Sequence, residues 1–132
     1  MITAQKIFDM AVAFMDISGD GSEADIAEYR ARAVPILNTL RGELAACCLP
    51  MRQTCPPLNA LSDGIDLDDT LCATVLPYGL AAALLVGERN EEASFFQTRY
   101  ETLLRMTKAA SQAQGEDIKQ LYGDIGDNWG RW

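Results

Sequence analysis

Between Leu71 and Leu104 the polar positions nearly vanish and then return in a helical rhythm. Leu71, Val75, Leu76, Leu80, Ala81, Ala82, Ala83, Leu84, Leu85 and Val86 leave no polar face, and a helix apolar all round has to be enclosed by protein or lipid. The run from about Asp68 to Val86 is short for a bilayer crossing and is interrupted by Pro77, so the pattern predicts a buried core helix. Gly87 is its natural stop, because glycine takes the left-handed cap conformation without a Cβ penalty. Asn90 reads as the next N-cap, with Glu91 and Glu92 placed to suit the positive end of a new helix. Phe96, Tyr100, Leu103 and Leu104 then recur at helical spacing with Phe95 beside them, until the pattern fades near Ser111. So short a connection predicts an antiparallel αα-hairpin, on which the rest of the chain packs.

The same rhythm runs through the N-terminal half. From Thr3 to Asp16, Ile7, Met10, Ala11 and Phe14 form a helical stripe widened by Phe8 and Met15, and Thr3 is placed to cap it. The break Ile17-Ser-Gly-Asp-Gly-Ser22 follows. Asp16, Ser18, Asp20 and Gly21 match the opening positions of an EF-hand loop, but Ala27 stands where the bidentate Glu is needed. The plainer reading is a turn in which Ser22 caps the next helix, with Asp25 as its capping-box acid. From Ser22 to about Cys48, Ile26, Tyr29, Ala33, Ile36, Leu37, Leu40, Leu44 and Cys47 continue the period around Pro35. Proline removes one backbone bond, so this is one helix kinked near Arg32–Pro35 or two meeting there, and Pro77 makes the same demand of the core helix.

Leu49 to Asp66 holds Pro50, Pro56, Pro57 and a Ser62-Asp-Gly64 turn, and reads as a connector pinned by Leu58, Leu61, Ile65 and Leu67. The cluster Asp63, Asp66, Asp68 and Asp69 reads as capping the core helix rather than as converging on a metal. Beyond Ser111 the small polar run to Gly115 adds little, and Glu116 to Tyr122 has room for one or two more turns. The last ten residues, Gly123 to Trp132, are glycine-rich and aperiodic, yet they hold Ile125, Trp129, Arg131 and Trp132. Trp and Arg are the enriched anchors of protein interfaces. The segment either docks on a neighbouring subunit or folds back on its own domain.

Composition narrows the function. A chain of 132 residues with 48% hydrophobic and 23% charged positions suits one domain, divided here into a helical domain at 1–122 and a tail at 123–132. The net charge of -8 disfavours phosphate-backbone binding. The absence of histidine removes His-based acid–base and triad chemistry and His-ligated metals. The four cysteines, Cys47, Cys48, Cys55 and Cys72, form no C-x-x-C pair, and Met1 opens no evident signal peptide. They are expected to be free and mostly buried in a reducing compartment; spacing alone also allows Cys55 to pair with Cys47 or Cys48. An all-α pyrophosphohydrolase needs E-x-x-E followed by E-x-x-D. Glu88 and Glu91 straddle the predicted corner and no E-x-x-D follows. No cofactor or metal site is expected, and no enzyme.

Leu76-Pro-Tyr-Gly-Leu-Ala-Ala-Ala-Leu-Leu85, the acidic corner and Ala93-Ser-Phe-Phe-Gln-Thr-Arg-Tyr-Glu-Thr-Leu103 resemble bacteriophage and prophage head–tail connector (neck adaptor) proteins. Tyr29 to Leu44, with Pro35 followed by Ile-Leu-Asn, is also similar to that group, so the likeness covers about half the chain. Its signature residues, Leu76, Pro77, Tyr78, Gly79, Phe95, Phe96, Arg99 and Tyr100, are core and hairpin positions. Bottom-up, Arg99 is a partner for a carboxylate or a carbonyl. The resemblance implies an all-α ring subunit in the virion neck, made in the bacterial cytoplasm, with the portal and a tail or second neck protein as partners. It also implies subunit contacts through the C-terminal segment and loops.

The expected fold is thus an all-α, single-domain bundle of four to five helices around a central antiparallel hairpin, with kinks at Pro35 and Pro77. The leading expectation is a structural virion protein without sequence-specific DNA binding or membrane insertion. A tail-completion protein, an assembly chaperone or a host regulator is the alternative, and a carboxylate–metal hydrolase the remoter one.

Overall fold

A computed structural model describes residues 1–15, 23–48 and 57–115. They form an all-α bundle of α1 (Ala4–Met15), α2 (Glu23–Ala46), α3 (Asp69–Leu85) and α4 (Asn90–Gly115). The core helix predicted from about Asp68 to Val86 is α3, and α1, α2 and α4 all pack against it. Cys72, Val75, Leu76, Pro77, Leu80, Ala81, Ala82, Leu84 and Leu85 are buried around its whole circumference, as a helix without a polar face requires.

Each end of α3 is fixed by its own sequence. Asp68 accepts a hydrogen bond from Leu71 N at 3.0 Å, satisfying one of the orphan donors of the first turn. At the other end Gly87 has φ +91°, the left-handed stop. Asn90 differs from expectation. The first α4 bond runs from Ala93 N to the Arg89 carbonyl, so Arg89 is the cap residue and Asn90 is already helical. The Asn90 Oδ1 instead reaches back across the corner and accepts from Gly87 N at 2.8 Å.

On α2, Tyr29, Ala33, Leu37, Leu40 and Leu44 make a buried stripe while Pro35 stays exposed. The helix runs through Pro35 as a single element, and α3 runs through the buried Pro77. On α1 the buried set is Ala4, Ile7, Phe8, Ala11 and Met15. The predicted stripe is therefore rotated: Met10 is half-buried and Phe14 lies at the surface. Thr3 caps α1 through Lys6 N.

The connector closes the bundle, as its hydrophobic anchors predict, with Leu58, Leu61 and Ile65 buried and Leu67 partly so. Its carbonyls satisfy the start of α1: Ala4 N donates to Asp63 O at 3.0 Å and Gln5 N to Leu61 O at 2.7 Å. Asn38 on α2 holds the connector with both ends of its amide, donating to Leu58 O and accepting from Leu58 N. α4 extends four residues beyond the expected fade at Ser111, to Gly115, because Ala, Gln and Ser add turns at little intrinsic cost. The candidate calcium loop at 16–22, the Ser22 cap, Cys55, the turns at 116–122 and the tail at 123–132 lie outside the described residues. No helix among the described residues is long and apolar enough to cross a membrane.

Candidate functional site

The signature residues separate into two groups. Leu76, Pro77 and Gly79 are buried, and Tyr100 packs against Gly79 with its hydroxyl donating to Glu43 Oε1 at 2.8 Å. Burial and the Glu43 hydrogen bond both hold this phenol neutral, well above the ordinary tyrosine range. These residues build the hairpin. Tyr78, Phe95, Phe96 and Arg99 instead come together where the core meets the surface, with Phe96 buried, Tyr78 half-buried and Phe95 and Arg99 exposed. Tyr78 and Phe96 lie 6.3 Å apart, Phe95 meets the Phe96 edge at 5.5 Å, and the Arg99 guanidinium sits 5.7 Å over the Tyr78 ring. Arg99 thus contacts an aromatic face, a cation–π arrangement, rather than the carboxylate or carbonyl expected.

Phe14 completes this face. Its ring stacks on Tyr78 at 4.8 Å and reaches Phe96 at 6.5 Å. Sequence reasoning assigned Phe14 to the α1 core stripe. Nothing in the spacing set Phe14 apart from Ile7 and Ala11, which are buried. Phe95 remains 65% exposed, an aromatic ring in water with partners on one side only.

On the other side of the hairpin, Ala82, Ala83 and Val86 of the α3 end and Asn90, Ala93, Ser94 and Gln97 of α4 line an open groove of about 430 Å³. None of these side chains is ionisable, so the groove can receive a side chain but supplies no titratable acid or base. Val86, at 63% exposure, stands at its end.

Of the carboxylates singled out in the sequence, Glu88, Asp63, Asp68 and Asp69 hold the fold together. Glu88 accepts the Tyr29 hydroxyl at 2.7 Å. That hydrogen bond, with burial and the carboxylate charge behind it, pushes the Tyr29 phenol up to about 12. Beside it Arg89 donates to the Met15 carbonyl at 3.1 Å and pairs with Glu92 at 2.7 Å, tying the end of α1 to the hairpin corner. Asp69 receives Ile2 N at 2.8 Å and the Met1 ammonium at 3.3 Å. Asp63 accepts from Asn59 N and Ala60 N, folding its own turn. Among the described residues no three Cys, Asp or Glu side chains converge as a metal would require.

Cys47 and Cys72 are free thiols, and Cys48 stands beside Cys47 at the end of α2. Only Cys72 is buried, and the other two are half-buried, because α2 ends where its apolar stripe meets the connector. Burial, aided by Asp69 and Asp68, pushes the Cys72 thiol up to about 12, away from the thiolate that reactivity needs. Ile125, Trp129, Arg131 and Trp132, the proposed docking residues, lie outside the described residues.

Comparison of the chain with protein-family models, curated proteins and solved structures gives no match. The aromatic face and the groove, which flank one hairpin, are the surfaces that geometry offers for function.

Proposed function

We propose that this chain is a structural assembly protein, a head–tail connector subunit that joins the portal of a bacteriophage to its tail as part of a ring. It carries out no reaction in this reading; it works by burying surface against other copies and other virion parts. The observation that carries the reading is that exposed Phe95 and Arg99, two residues of the connector-like signature, stand over half-buried Tyr78 and buried Phe96 at one edge of the hairpin. Aromatic rings with an arginine are the composition of interface anchors. The signature therefore includes one aromatic ring, Phe95, that a purely structural hairpin would not leave in water.

The direct test is a phage carrying a disrupted copy of the gene. DNA-filled heads without tails are the expected product, with tailing restored when the chain is supplied in trans. Normal yields of tailed, infectious particles would overturn the reading. Deletion of Gly123–Trp132 tests the tail separately, since loss of tailing in the presence of folded protein assigns that segment to subunit docking.

A further inference from the structure

We propose that copies of this chain join through opposite flanks of α4, with Phe95 of one copy entering the groove of the next and Arg99 of the first facing Glu101 of the second. The inference deepens the ring reading and rests on it for its biological setting.

Its basis is the distribution of residues around one helix. Ala93, Phe96, Tyr100 and Leu103 face the core. At 3.6 residues per turn, Phe95, Arg99, Thr102 and Met106 share one flank, and Asn90, Ser94, Gln97 and Glu101 share the other. The first flank projects, with Phe95 65% and Met106 59% exposed. The second is recessed, because Ala82, Ala83 and Ser94 leave the groove of about 430 Å³ unfilled. A projection and a recess on opposite flanks cannot meet within one molecule. They can meet between two, and because the two patches differ, the contact is heterologous, as a ring requires.

Charge selects a second copy as the occupant. Arg99 lies one turn beyond Phe95, and Glu101 one turn beyond Gln97. Both are exposed, and neither has an ion pair among the described residues. With Phe95 seated at the Gln97 end of the groove, the two axial steps are equal, about 6 Å each. Near-parallel α4 helices therefore seat the ring and oppose the charges in one arrangement. Each copy carries a net charge of -8, so an approach that sets cation against anion is favoured over most others.

Two experiments on the full-length chain decide it. In the first, a photoreactive benzoylphenylalanine replaces Phe95, and isotopically light and heavy chains are mixed before irradiation. Light–heavy adducts mapping to residues 82–97 are expected. Adducts confined to the same chain, adducts elsewhere, or none up to the solubility limit would refute the contact. In the second, Arg99→Glu and Glu101→Arg are each expected to weaken self-association by about two- to fivefold in sedimentation at about 0.1 M salt. Mixing the two variants should recover most of the loss, because each supplies the sign the other lacks; no recovery rules out the pairing. Particles that contain the chain but give adducts elsewhere sink this contact and spare the connector reading. Self-association through this contact by a chain that never enters particles does the reverse.

Discussion

A Cβ added at Gly79 would lie 2.8 Å from Tyr100 Cδ1 and Cε1 and 3.1 Å from Leu40 Cδ1. The ring cannot swing away freely, since its hydroxyl is held by Glu43. Alanine should gain up to about 1 kcal/mol of helix propensity but lose about 1–3 kcal/mol to overpacking. Gly79→Ala is therefore expected to be destabilised by about 1–2 kcal/mol in urea titration, and less so in a Tyr100→Phe background, where the ring is released. Gly87 is the opposite case. Nothing lies within 4 Å of its added Cβ, but its φ is +91°. Gly87→Ala should lose about 1 kcal/mol through backbone strain alone, with no relief from any neighbouring substitution. Gly87 was legible as a stop because the preceding pattern ends there. Gly79 was not legible as a contact, because only the fold brings Leu40 and Tyr100 to it.

Elements were legible to the extent that one face decided them. The hairpin, the stripe of α2 and the anchors of the connector follow from apolar spacing, which tertiary burial reinforces. The rotated face of α1 was not, because Ile7, Phe8, Met10, Ala11, Phe14 and Met15 cover more arc than the core can accept, and only packing chooses among them. Links between elements were equally hidden. The Asn38 amide is a two-point clamp on Leu58, and removing it leaves a partly buried N–H and C=O unpaired. Asn38→Ala should cost about 1–3 kcal/mol and speed hydrogen exchange at the Leu58 amide ahead of the core of α3. The phenol links predict an alkaline response. Tyr29 is raised from 10.0 to about 12 and Cys72 from 9.0 to about 12, and Tyr100 is raised as well. Below about pH 8 these groups are protonated in both folded and unfolded chains, so their contribution is intact. As pH climbs from there toward about 12, the unfolded chain releases protons that the folded chain retains, and stability falls. Melting temperature should decline steadily over that window, with a shallower slope in Tyr29→Phe.

At the scale of the whole molecule, the net charge of -8 acts before any local contact forms. Two copies repel at long range, and duplex DNA repels each of them. Both effects are screened over about 10 Å at 0.1 M salt. If association rests on seating an apolar side chain in an uncharged groove, the contact itself changes little with salt while the opposing field weakens. Self-association should therefore strengthen between about 0.02 and 0.2 M salt, the single Arg99–Glu101 pair giving back only a small part. Binding to duplex DNA should be absent across the same range, in contrast to the steep salt-sensitive affinity of a basic protein. Sedimentation velocity and DNA retention, measured on one preparation, test the two together. Association that falls with salt would assign the interface to ion pairs instead of to Phe95 and its groove. DNA retention at low salt would mean that basic residues such as Arg30 and Lys6 on the α1–α2 side overcome the net charge locally.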